Sequence, residues 1–201
     1  MNKSSYDERK EKAAKQMKKE RMMKRLKQAI IPAVVVLSLG TGIYWWVRSE
    51  DRASADRKIY AVNIPELGRE HIPVGSRRPA YNSNPPTSGP HYGTPEPRGV
   101  YDKQLPDEEL VHNLEHGYVW ISYRPDAGPE IRKQLESFYR FRNKVIVTPR
   151  RENEKLIALA AWGWLDTFDS AFPAGLTDAE KKRIDDFVGA FINQGPEPLG
   201  Q

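Results

Sequence analysis

None of the 201 residues is a cysteine. That excludes a disulfide framework, a thiolate zinc or iron–sulfur cage and any thiol nucleophile. Methionine is almost as restricted, because all four lie at or before Met23, so the rest of the chain has no thioether to offer a soft ion. A general excess of positive charge is also missing. The net charge of +5 comes from 32 Lys+Arg against 27 Asp+Glu, but residues 1–28 hold 11 basic and 4 acidic side chains while the remainder holds 21 and 23. The basicity belongs to a tail whose only aromatic residue is Tyr6, and without stacking or base-reading groups nucleic acid is not an expected partner. Such a tail is instead a topology signal attracted to anionic headgroups.

Charge is absent altogether from Ala29 to Val47, a run of nineteen residues. As a helix it would be about 28 Å long, close to the hydrocarbon thickness of a bilayer. Arg21, Lys24, Arg25 and Lys27 precede it, and Tyr44, Trp45 and Trp46 form an aromatic belt at its far end. The expected organisation is a basic cytoplasmic tail (1–28), a transmembrane helix (29–47), a polar linker (48–58) and a globular domain outside the cytoplasm (59–201). The rival is a cleaved signal peptide ending near Ala53-Ser54-Ala55, against which stand the long n-region and the charges Arg48, Glu50, Asp51 and Arg52.

From Ile59 onward the chain contains all six Phe, three of five Trp and seven of nine Tyr, enough for one core. Residues 65–106 hold nine of the sixteen prolines, so that stretch is expected to be an irregular, packed loop region with a role of its own. Pro106 then opens a short helix with Asp107, Glu108 and Glu109 in its first turn and Gly117 as its stop. Tyr118–Tyr123 reads as a strand, Pro129 to Phe141 as a helix, Val145–Thr148 and Lys155–Trp162 as strands, and Thr177 caps a last helix running towards Gly195-Pro196. Trp162-Gly-Trp164 and Asp166 read as core aromatics and a turn. The fold class is α/β (α+β), a small mixed sheet with packed helices.

The four histidines, His71, His91, His112 and His116, fall within 46 residues. Two share the Pro106 helix in the sequence His-Asn-Leu-Glu-His. At about 100° per residue, His116 lies about 40° and Glu109 about 60° to one side of His112, with Glu108 about 40° and Glu115 about 60° to the other. Leu110, Val111 and Leu114 fall on the opposite side. Imidazoles outside the aliphatic stripe are placed for chemistry rather than for core filling, and histidines at i and i+4 can share one ion. The spacing is similar to the inverted zincin motif His-x-x-Glu-His, although Gly117 ends the helix before a further ligand can follow. His91, in Pro-Thr-Ser-Gly-Pro-His-Tyr, is the best third imidazole, held by a stiff backbone. The expected metal ligands are thus His91, His112, His116 and Glu115, suiting Zn²⁺ or Cu²⁺; Glu115 is the candidate general base if there is a reaction. Ser88 sits in a turn and lacks the strained elbow of a nucleophile.

The sequence resembles an uncharacterised family catalogued as domain of unknown function 3105, found as membrane-anchored or secreted bacterial domains. The likeness rests on Tyr81, Asn84-Pro-Pro-Thr-Ser-Gly-Pro-His-Tyr92, Val111-His-Asn-Leu-Glu-His-Gly117, Tyr123 and Ala161-Trp-Gly163. It implies an extracytoplasmic domain in which His91, His112, Glu115 and His116 form a shared cluster, and it implies no reaction. Three readings follow: a divalent metal site, a structural or adaptor domain of the cell envelope with a hydrogen-bonded histidine knot and a protein partner, and a metal-dependent hydrolase.

Overall fold

Along Val119-Trp-Ile-Ser-Tyr123 large apolar side chains fall on both alternations, so a strand there has to be covered on both faces. The computed structural model has that strand buried at all five positions. It describes residues 59–77, 80–141, 143–172 and 174–198, together with scattered positions between 10 and 44. The elements are β1 (Val62–Asn63), β2 (His71–Ile72), β3 (His91–Tyr92), α1 (Asp107–Glu115), β4 (Val119–Tyr123), α2 (Pro129–Phe141), β5 (Val145–Pro149), β6 (Ile157–Ala161), β7 (Trp164–Phe168) and α3 (Asp178–Phe191). The sheet order is β1-β7-β6-β4-β5. Within this sheet β4 and β5 are parallel, joined through α2, and the remaining pairs are antiparallel.

The alternation divides the core. Val119, Ile121 and Tyr123 pack with Val145, Val147, Ile157 and Leu159 against Ile131 and Leu135 of α2 and Ile184, Phe187 and Val188 of α3. Trp120, Ile146, Ala160 and Trp162 face the other way, onto Leu110, Val111 and Leu114 of α1. Burying such a side chain stabilises by about 1.5–3 kcal/mol each, so α1, a helix of nine residues, holds its shape through packing and not through its own propensity.

Its ends are fixed separately. Pro106 is the residue before the first helical one, with φ −58° and ψ 132°, one position earlier in the helix than its sequence expectation. Arg150, 1% exposed, places Nε and Nη2 on the two Asp107 carboxylate oxygens at 2.9 and 2.8 Å, and Nη1 on Asn84 Oδ1 and Asn153 Oδ1. The first turn of α1 is thereby tied to the proline-rich loop and to the end of β5. Gly117 follows the helix with φ +75°, a conformation in which L side chains are strained. A Cβ there would lie 2.7 Å from the Asn193 Cα.

Two further departures from expectation concern the C-terminal half. The turn and core aromatics expected at Trp162-Gly-Trp164 are there, with Gly163 at φ +71° and Trp162 buried, but the full strand β7 that follows was not expected. Asp166 on it is buried and accepts from Arg183 Nε and Nη2. The last helix ends at Phe191, and Thr177 opens it with both hydrogen bonds of a capping box to Glu180.

The chain divides into units Met1–Asp56 and Arg57–Gln201. In the first, the described positions are helical, and among the described residues no helix is long and apolar enough to cross a membrane. Most of the expected span 29–47, and all of 48–58, lie outside the described residues.

Candidate metal centre

The proline-rich loop gives up water in order to place His91. Thr87, Ser88 and His91 are fully buried, and the chain is held by Tyr81 Oη donating to the Pro90 carbonyl at 2.8 Å. Ser88 Oγ accepts from the Leu67 amide, 21 residues earlier, and so ties the loop to that segment. Gly89 adopts φ +121°, and a Cβ there would stand 3.1 Å from the Tyr81 ring, so the loop passes where no side chain fits.

The residues after Gly89 form β3, which pairs in parallel with β2, setting His71 opposite His91. Helix α1 supplies His112 and Glu115 from below. The result is a group of four, His71, His91, His112 and Glu115, whose ligand atoms all lie within 4.8 Å of one another. Glu115 Oε2 is 3.1 Å from His91 Nε2 and 3.7 Å from His71 Nε2. His116, expected among the ligands, stands one step out: its Nε2 is 2.8 Å from His112 Nε2. His71, passed over in the sequence reading in favour of His91, is brought in by a pairing of two residues. The only sequence signal for it was that it shares a 46-residue window with the other three.

The wiring of the rings decides what the cluster can do. His91 Nδ1 lies 2.8 Å from the Gly89 carbonyl, His112 Nδ1 2.7 Å from the Tyr92 carbonyl, and His116 Nδ1 3.0 Å from the Glu197 carbonyl. A carbonyl oxygen only accepts, so each Nδ1 carries hydrogen and each Nε2 of the neutral rings is a bare lone pair. Those lone pairs converge: Nε2 of His91 faces a carboxylate oxygen, and Nε2 of His112 faces Nε2 of His116. Burial pushes the His112 pKa down, opposed by the Tyr92 carbonyl and reinforced by the three other imidazoles. Without an ion each contact needs one proton, carried by His91 or Glu115 in the first and by one of the two rings in the second. The His91 and His112 ring centroids are 5.1 Å apart, a separation at which two unit charges repel by about 3 kcal/mol for an effective dielectric of about 20. The Nε2 atoms of His91 and His112 belong, with Glu115 and His71, to a donor group that could hold one divalent ion. Backbone carbonyls on the far nitrogens are also the usual means of fixing the tautomer of metal-binding histidines.

A cleft of ≈ 370 Å³ adjoins the centre, lined by Pro95, Glu96, Pro97, Arg98, Asn113, His116 and Tyr118. Asn113 holds its edge, accepting from the Glu96 amide and donating to the Glu96 carbonyl. Burial and the neighbouring Glu96 carboxylate push Glu109 up to about 7, and burial with the same carboxylate pushes Tyr101 to about 12. Opposite, Lys144 Nζ donates to the carbonyls of His116 and Pro198, locking the C-terminal segment over α1.

With this geometry established, comparison with known proteins gives one positive finding. The family described as "Protein of unknown function (DUF3105)" matches over residues 74–201. The chain belongs to that family. No curated protein and no solved structure matches it. The DUF3105 region contains His91, His112, Glu115 and His116, whereas His71 lies just ahead of it.

Proposed function

We propose that this chain is a single-pass membrane protein whose DUF3105 domain, outside the cytoplasm, holds one divalent transition-metal ion at His71, His91, His112 and Glu115, with His116 adjoining. The observation that carries the reading is the gathering of His71, His91 and His112 around the buried Glu115 carboxylate, the Nδ1 atoms of His91 and His112 being spent on carbonyls so that their Nε2 atoms are left as acceptors. Imidazole with one carboxylate suits Zn²⁺ or, in a tetragonal arrangement, Cu²⁺, and the lack of sulfur ligands disfavours Cu⁺. The charge-free run 29–47 and the basic residues ahead of it support the anchor and its direction.

Elemental analysis of the purified chain tests the metal: about one equivalent is expected in wild type and none in His112→Ala. A protein still metal-free after reloading with Zn²⁺ and with Cu²⁺ overturns the reading. An intact mass lacking residues 1–55 would replace the anchor with a cleaved signal.

One observation favours a second reading, an adaptor of the envelope. The same rings tie the loop, β3 and the C-terminal segment together through backbone carbonyls, as a purely structural knot would. Melting curves separate the two, because only an ion that binds the native state raises the apparent stability.

A further inference from the structure

His116 stands between two environments. On one side its Nε2 meets His112, the residue whose ring also packs at 5.0 and 5.1 Å from His71 and His91. On the other it borders the cleft. Since its Nδ1 is committed to the Glu197 carbonyl, its one available lone pair is aimed inward at His112. The cleft's two charged side chains other than His116 are not equivalent. Arg98 is drawn aside, its Nη1 on Asn143 Oδ1 at 3.3 Å and its guanidinium 5.7 Å from the centroid of the Tyr139 ring. Glu96 is held by Asn113, through its backbone amide and carbonyl, against the α1 side of the cleft. The Glu96 carboxylate is itself engaged by Tyr101 Oη and Glu109, so the donors leading inward from the cleft are the imidazoles of His116 and His112, between walls that include Pro95 and Pro97.

Resting on the metal reading above, we propose that a divalent cation reaches and leaves the buried group through this cleft, with His116 as the exchanging ligand that hands it to His112. His71 then completes the shell from the opposite, half-exposed side without serving as the way in.

Stopped-flow loading of the full chain in detergent with Co²⁺, followed by its visible absorption, tests the route, and release to EDTA tests its reverse. His116→Ala, and Pro97→Trp, which narrows the cleft without removing a donor, should each slow loading and release on the order of tenfold while changing equilibrium affinity less than roughly threefold. Gly93→Trp crowds the His71 side, where a Cβ would lie 3.6 Å from His71 Nδ1, and should leave both rates as in wild type. Wild-type rates in Pro97→Trp, slowed rates in Gly93→Trp, or a His116→Ala that loses affinity instead of speed would each overturn the route, and Pro97→Trp decides it if His116→Ala does not fold. A wild-type chain that develops no Co²⁺ absorption overturns the metal reading itself, and the route with it.

Discussion

On one side of the sheet, α2 and α3 press Ile131, Leu135, Ile184, Phe187 and Val188 onto an aliphatic and aromatic layer. On the other, α1 covers the sheet with Leu110, Val111 and Leu114 but turns His112, Glu115 and His116, all buried, towards the proline-rich loop. The first side could be repacked with other apolar residues of similar volume and still serve. The second carries buried polar groups that need specific partners, and a polar group buried without one costs about 1–3 kcal/mol. Apolar packing is concentrated behind the sheet and ligand-type side chains in front of it, and α1 serves both.

The largest effect should come from the apolar side. Phe187→Ala, 2% exposed in wild type, is expected to destabilise by about 3–5 kcal/mol, read by urea unfolding, and added metal should not restore the difference. Next comes the link between the sides: Arg150→Ala leaves Asp107 buried without its bidentate partner and should cost about 3–5 kcal/mol. Because it loosens the first turn of α1, it should also weaken metal uptake, which Phe187→Ala should not do while folded. In the third place, an ion at 100 times its Kd should raise wild-type stability by about 2.7 kcal/mol, and this gain should vanish in His112→Ala. If Phe187→Ala abolished metal uptake in its folded state, the two sides would not be separable as described.

The expected effect of pH is smaller. His112 is held below its ordinary value of 6.5 in the folded chain, so between its folded and unfolded values the unfolded chain binds more protons. The group contributes nothing above about 6.5 and costs stability as pH falls below it, by about 1.4 kcal/mol per unit of lowering. Melting of the metal-free protein between about pH 7.5 and 5 should therefore show a loss that is reduced in His112→Gln. With metal present the loss should steepen, because protons compete for the same nitrogens.

The two sides also differed in how far the sequence revealed them. The sequence pattern located α2 by its helical spacing, α3 by its spacing and the Thr177 cap, and β4, β5 and β6 as short apolar runs, each buried at all five positions. It missed β7 because Trp162-Gly163 is so short a connection that Trp164–Phe168 reads as part of the preceding turn, although Trp164, Asp166 and Phe168 alternate with Leu165 and Thr167. In front of the sheet, helical geometry was enough to put His112, Glu115 and His116 on one face. It could not order them, and the structure groups His112 and Glu115 with His71 while leaving His116 towards the cleft. His71 depends on a parallel pair of two residues between β2 and β3, which has no local signature. The tautomers were equally hidden, being set by carbonyls of Gly89, Tyr92 and Glu197 that only the fold brings to the rings.

X-ray absorption of the zinc-loaded chain addresses the central claim most directly, because it reads the ion's own surroundings. A nitrogen and oxygen shell at about 2.0–2.1 Å with the outer-shell scattering of several imidazoles, reduced in both His71→Ala and His91→Ala, is the predicted spectrum. An all-oxygen shell without imidazole scattering, or one unchanged by both substitutions, would contradict the account.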